Sequence, residues 1–394
     1  MSGARAPAPR VAVVAGTPQL VRAARALGVE TVLAGEDAGG SGAVDVEVDP
    51  ADHAALVEAL RPLHERAPFA RILSLTEHGL LPAAVAADAL GVEGNGVDAV
   101  RMLGDKALMR DRLAADPALA VLAQRAASPE EVDAVRRQAG GHAVVKPVDG
   151  VGSAGVHYVD TPDEVWHALM ALRAEGHVEV LVEELLDGPE LSIEAFSVGG
   201  RHTVHAITEK LVLDNAVEIG HVMPAAVEAD RAAIEAVVVA FLDAVGLREG
   251  PSHTEVKLTR RGPRLIEGHN RVGGDRIRTL LQRAYGLDVV GDTVAVPLGL
   301  RPPAPRRPAQ AAAAIRFLAP EPGRVRDVAV PALPEDVEAH LDVEVGDLVG
   351  PVQQSADRSG YVLAAAPDRA SALALVDGVV EAITIDTAPP ATCA

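Results

Sequence analysis

Residues 253–277, HTEVKLTRRGPRLIEGHNRVGGDRI, constrain the fold more than any other stretch. They read as two short strands, 254–259 and 264–267, joined by a turn at Arg260-Arg261-Gly262-Pro263. A hairpin centred on Arg261 sets residue 255 opposite 267, 256 opposite 266 and 257 opposite 265. Strand alternation then sends Val256 and Ile266 to the core and brings Glu255 beside Glu267 on the other face. Like charges across a strand pair destabilise it, so this arrangement calls for a cation between them. Oxygen-only ligands suit Mg²⁺ or Mn²⁺ rather than zinc. Arg271 follows, then Gly273-Gly274-Asp275, a pliable turn beside a fixed positive charge. Two acids, a cation, an arginine and a glycine turn suit the handling of phosphate. A surface hairpin with solvated acids is the competing reading, and the shared face with its nearby arginine weighs against it.

The chain before the hairpin alternates apolar strands with helices. Strands at 10–15, 31–34, 44–48 and 71–75 and helices at 19–27, 54–63 and 82–90 describe a small doubly wound parallel α/β domain. Its first turn, AGTPQL, lacks the spaced glycines of a dinucleotide site, which argues against nicotinamide or flavin chemistry. Residues 97–113 read as one helix carrying Asp105-Lys106, and Ser128 and Thr161 each precede a proline as helix caps. The strand 143–146 runs into KPVDGVGSAGVHYV, where Gly150, Gly152, Ser153 and Gly155 let backbone N–H groups converge on an anion with Lys146 at the edge. Strand 180–186 ends in Glu183-Glu184, which an edge strand could carry simply to limit aggregation. Glu218 and His221, in VEIGHVMPA, suggest a substrate contact. RPPAPRRPAQ is a proline-rich linker. After it come short strands, a helix at 369–380 and a disordered tail, a segment expected to cover part of the cleft.

Composition narrows the function. At 394 residues the chain holds two or three domains, and with 2% aromatic residues its cores must be built from Ala, Val and Leu. A formal net charge of −20 argues against nucleic acid and acidic membranes as partners. The N-terminus does not read as a signal peptide and no run reaches the length of a membrane span. The single cysteine, Cys393, lies in the tail, so disulfides and thiol catalysis are not expected and a cytoplasmic setting is. Lysine occurs only at 106, 146, 210 and 257, although Lys and Arg together number 36. Where arginine serves for charge in general, a retained lysine points to a slim point charge in a tight site.

Taken in order, RMLGDKALMRDRL, VVKPVDGVGSAGV, VEELLDGPELSIEAF, EIGHVMPA, the hairpin and RSGYVLAAA resemble the ATP-grasp superfamily, within its carboxylate–amine ligases of the L-amino acid (dipeptide) ligase kind. The resemblance covers nearly the whole chain and implies an α/β (α+β) ATP-grasp fold. It implies a Rossmann-like N-terminal domain (1–95), an ATP-grasp domain (96–300) and a C-terminal subdomain (301–394). It further implies that Lys106 and Lys146 hold ATP phosphates under a loop of Gly150, Gly152, Ser153 and Gly155. Glu183, Glu184 and the Leu186 backbone would meet adenine, and Glu190 the ribose. Glu255 and Glu267 would hold the metal, Arg271 and Gly274 the acyl phosphate, and Glu218, His221, Gly273 and Asp275 the organic substrates. The family's Glu-x-Asn-x-Arg string is here Glu267-Gly268-His269-Asn270-Arg271. Either His269 takes the place of the asparagine or a bulge brings Asn270 round. The implied reaction joins a carboxylate to an amine, with amino acids as the expected substrates and ATP giving ADP and phosphate. A homodimer and a role in secondary metabolism belong to the same expectation. The alternatives are a biotin-carboxylase-like or purine-pathway ATP-grasp enzyme, and a catalytically dead ATP-binding module.

Overall fold

The computed structural model describes residues 8–36, 44–150, 152, 154–213, 215 and 217–388. Ser153 and the tail beyond 388 therefore lie outside the described residues.

The N-terminal unit is a four-stranded parallel sheet in the order Val46–Glu47, Glu30–Gly35, Arg10–Val14, Arg71–Leu73. Val11 to Val14 are wholly buried, as a central parallel strand covered on both faces requires. The expected alternation is borne out there, and beyond residue 73 the sheets are antiparallel.

Residues 97–113 form two helices rather than one. Val97–Gly104 and Lys106–Leu113 break at Asp105, whose extended backbone lets its carboxylate cap the N–H groups of Ala107 and Leu108 at 2.9 Å. The break sets Lys106 at the first turn of a new helix, where its ammonium reaches the Gly150 carbonyl. Ser128 and Thr161 both close capping boxes. A four-stranded sheet follows in the order Ala123–Ala126, Val180–Glu184, Ala143–Lys146, His157–Val159. Val180–Glu184 is thus an interior strand, and Glu183 is buried, so the edge-charge reading of Glu183-Glu184 is overturned.

The largest sheet has eight strands, ordered Gly262–His269, Gly250–Thr259, Glu190–Val198, Arg201–Val212, Glu218–Met223, Ala312–Phe317, Gly360–Ala366, Val337–Leu341. The helix Arg231–Val245 packs beneath the hairpin end through Ile234, Val238 and Phe241, all fully buried. Gly268 has no alternative there, because a Cβ would lie 2.3 Å from the Phe241 ring. The eight strands draw on both sides of the proline-rich linker, so the C-terminal segment completes the sheet rather than merely overlying the cleft. Part of the segment expected as a disordered tail is ordered. Thr384–Ala388 pairs with Gly323–Ala329 in a three-stranded sheet.

Candidate functional site

The hairpin keeps Glu255 opposite Glu267 as expected, and then slips. A bulge after Glu255 pairs Val256 with Leu265, not Ile266. Val256 and Leu265 are therefore the buried pair, while Ile266 turns to the same side as Glu267 and lines a cleft with it. The extra residue converts one core position into an apolar wall of the site.

Two cavities meet at this hairpin. The first, about 150 Å³, holds Lys106, Lys146, Gly150, Gly152, Glu183, Glu184, Leu186 and Glu190. The second, about 140 Å³, holds His221, His269, Arg271, Gly274 and Asp275. Gly152, Glu218, Glu255 and Glu267 line both, so the carboxylates stand where the two chambers join. Three expected residues lie elsewhere. Gly155, with φ +69°, packs against Pro147 and Leu172 behind the loop. Gly273 packs against His253 and Ile277 behind the second cavity. Asn270 turns away altogether, donating to the Pro251 carbonyl at 3.0 Å and accepting from Asn95 at 2.9 Å. Strand alternation thus favours His269, whose Nε2 lies 3.1 Å from Glu267.

The electrostatics are those of buried, fully paired charges. Lys146 sits 2.6 Å from Glu183, which Arg110 also grips. Burial alone would raise the Glu183 carboxyl, but Arg110 and Lys146 override it and hold it at about 2. Lys106 lies 3.0 Å from Glu267. Burial would likewise raise Glu267, and Lys106 with His269 keeps it well below the usual carboxylate range. Lys210 is the hub on the other side, touching Glu190 at 2.9 Å, Glu218 at 3.1 Å and Glu255. Its burial opposes the charge, yet Glu255, Glu190 and Glu218 raise its ammonium well above the ordinary lysine value. Lys257 also reaches Glu190, at 3.2 Å. Ionised carboxylates facing one another beside a lysine-lined cleft are a donor set that fits a divalent cation carrying phosphate.

Several participants escaped the sequence reading. Glu77, at the start of helix Glu77–Leu90, pairs with Arg271 and accepts from His269 Nδ1 at 2.9 Å. Burial would raise this carboxyl, but His269 and Arg271 hold it at about 2. Nothing local in SLTEHGLL marks it, because its partners are some 190 residues away. Arg358 grips both oxygens of Asp275 and stacks on Phe317 at 3.7 Å, fixing the far wall. Lys210 and Lys257 did carry a signal in the scarcity of lysine, without a position to attach it to.

Residues 141–279 match the ATP-grasp domain, 21–93 the ATP-grasp N-terminal domain, and 316–388 the L-amino acid ligase C-terminal domain 2. The chain belongs to the ATP-grasp superfamily. This ATP-grasp chain superposes on an L-amino acid ligase from Bacillus licheniformis with TM-score 0.79 over 96% of its length and 99% of the other. At 21% identity that likeness is one of fold. It is 29% identical to the uncharacterized protein y4rH of Sinorhizobium fredii over 303 residues, 74% of this chain and 63% of that one. It is 31% identical to carnosine synthase 1 of Gallus gallus over 205 residues, 46% of this chain and 22% of that one. The chain therefore spans less than two thirds of the length of these last two relatives. No helix among the described residues is long and apolar enough to cross a membrane.

Proposed function

We propose that the protein is an ATP-dependent carboxylate–amine ligase joining amino acids or similar molecules through an acyl phosphate. The observation that carries this is the meeting of a lysine- and glycine-lined cleft with a second, polar chamber at Glu255 and Glu267. Lys106 and Lys146 bind the ATP phosphates, Gly150 and Gly152 lie against them, Leu186 meets adenine and Glu190 the ribose. Glu255, Glu267 and His269 hold the divalent cation, Mg²⁺ or Mn²⁺, which when bound neutralises phosphate charge. The carboxylate lies in the second chamber against Arg271 and the Gly274 backbone, and its oxygen attacks the γ-phosphorus as ADP leaves. The amine, held by Glu218, His221 and Asp275, then attacks the acyl carbon, phosphate departs and the amine loses a proton. Glu218 stands at the junction rather than deep on the substrate side, so it serves both chambers.

The match of residues 316–388 to the L-amino acid ligase C-terminal domain 2 supports this reading over a carboxylase or purine-pathway enzyme. The carnosine synthase relative supports amino-acid substrates. The intact network of ionised acids and lysines speaks against a dead module. The same reading takes the protein to act as a homodimer in the cytoplasm. The test is phosphate release from ATP across pairs of amino acids and small acids, with products read by mass. Release that requires both an acid and an amine is expected; release indifferent to either refutes it.

A further inference from the structure

We propose that this hairpin holds divalent cations through imidazole nitrogen as well as carboxylate oxygen, His253 with Glu255 on one strand and His269 with Glu267 on the other. The site then favours Mn²⁺ and Co²⁺ over Mg²⁺. This deepens the ligase reading and rests on it only in needing a metal–nucleotide complex at the hairpin.

The register supplies the first argument. His253 lies opposite His269 and Glu255 opposite Glu267, so four donors two residues apart share one face. His253 Nε2 is 3.3 Å from Glu255 Oε1, and His269 Nε2 is 3.1 Å from Glu267 Oε1. Donors about 2.1 Å from one ion and at right angles to each other stand roughly 3 Å apart. Each strand thus presents a half-site of one nitrogen and one oxygen, with the remaining positions left for phosphate oxygens and water.

The second argument comes from behind the rings. His253 Nδ1 donates to Glu194 at 2.6 Å, and His269 Nδ1 donates to Glu77 at 2.9 Å. Glu194 is buried and lines neither chamber, so its contact with His253 is its role at the site. A carboxylate on the far nitrogen is the usual partner of a metal-binding histidine, because it fixes the tautomer and aims Nε2. Here both histidines have one. Their rings stack at 6.2 Å and 27°, so they approach the junction side by side. Hard, strongly hydrated Mg²⁺ gains little from imidazole, whereas first-row transition ions gain much more.

Electron spin-echo spectroscopy of the full chain with Mn²⁺ and ADP tests this. The expected spectrum shows phosphorus coupling from ADP and an imidazole nitrogen coupling that changes when histidine alone carries ¹⁵N. His253→Asn and His269→Asn should each keep the phosphorus coupling and lose part of the nitrogen coupling. Each should also lower the Mn²⁺-over-Mg²⁺ affinity ratio by ~10-fold or more, and Glu194→Gln should do so without removing a ligand. Mn²⁺–ADP bound with phosphorus coupling but no histidine coupling overturns the inference and leaves the ligase reading standing. Failure of Mn²⁺–ADP to bind overturns both. Should a variant fail to fold, the labelled parent alone decides.

Discussion

Replacing Lys210 with methionine tests the charge balance at the hub. The three carboxylates that Lys210 separates, Glu190, Glu218 and Glu255, have oxygens within 4.8 Å of one another. At an effective dielectric of ~20, two unit charges at that distance repel by about 3.5 kcal/mol. Three such pairs cannot all stay ionised, so proton uptake caps the cost. Removing one partner from a buried ion network then costs ~3–5 kcal/mol. Against a typical total of ~5–15 kcal/mol this is large and survivable. The variant, however, leaves a ready carboxylate cage. Mg²⁺ or Mn²⁺ at about a hundred times its Kd should return ~2.7 kcal/mol. The parent should gain less, since its ammonium fills that position. Urea unfolding followed by circular dichroism at pH 8, with and without the ion, measures both effects. A loss under about 1 kcal/mol, or equal metal stabilisation of parent and variant, refutes the reasoning.

The remaining predictions concern the phosphate lysines, the hairpin floor and acid stability. Lys146→Arg and Lys106→Arg should lose phosphate release although charge is kept, because a larger, fork-shaped guanidinium replaces the single-point ammonium in the cleft; parent-like kinetics would count against their role. Gly268→Ala forces a Cβ to within 2.3 Å of Phe241 and should cost ~1–3 kcal/mol in urea; a neutral result would mean the floor yields freely. Glu183, with its folded value lowered to about 2, contributes stability present above the ordinary value of 4.5 and lost as pH falls toward 2. Between pH 5.5 and 3.5 this group should account for about 1 kcal/mol of the parent's loss, and Glu183→Gln should lose that much less over the same interval.

Local patterns gave much of the architecture. The parallel N-terminal sheet follows from alternation alone, since a strand covered on both faces is an unbroken apolar run such as Val11 to Val14. The pairing of Glu255 with Glu267 was legible because period two and a glycine turn fix register. The slip after Glu255 was not, because a bulge is decided by what packs beneath, and Leu265 competes with Ile266 on equal apolar terms. Helix 97–113 looked continuous because Asp105 is tolerable inside a helix and announces itself as a cap only through its backbone. Glu77, Glu194 and Arg358 act through partners distant in sequence, and no spacing rule reaches them.

Asn270 and Glu77 set a boundary on recombining this protein. Asn95, just past the parallel sheet, accepts from the N–H groups of Arg248 and Glu249 at 2.9 Å and donates to Asn270, the residue after His269. Glu77 enters the same corner from the sheet side to hold Arg271. A chimera that takes its first 95 residues from another ATP-grasp protein would arrive with the apolar core of the new sheet intact. Where the donor carries other residues at positions 77 and 95, it would lack the two side chains that seat Arg271 and the seam. Grafts should therefore carry Glu77 and Asn95 with the recipient's catalytic sheet. The tractable unit of exchange is the parallel sheet minus its contact edge.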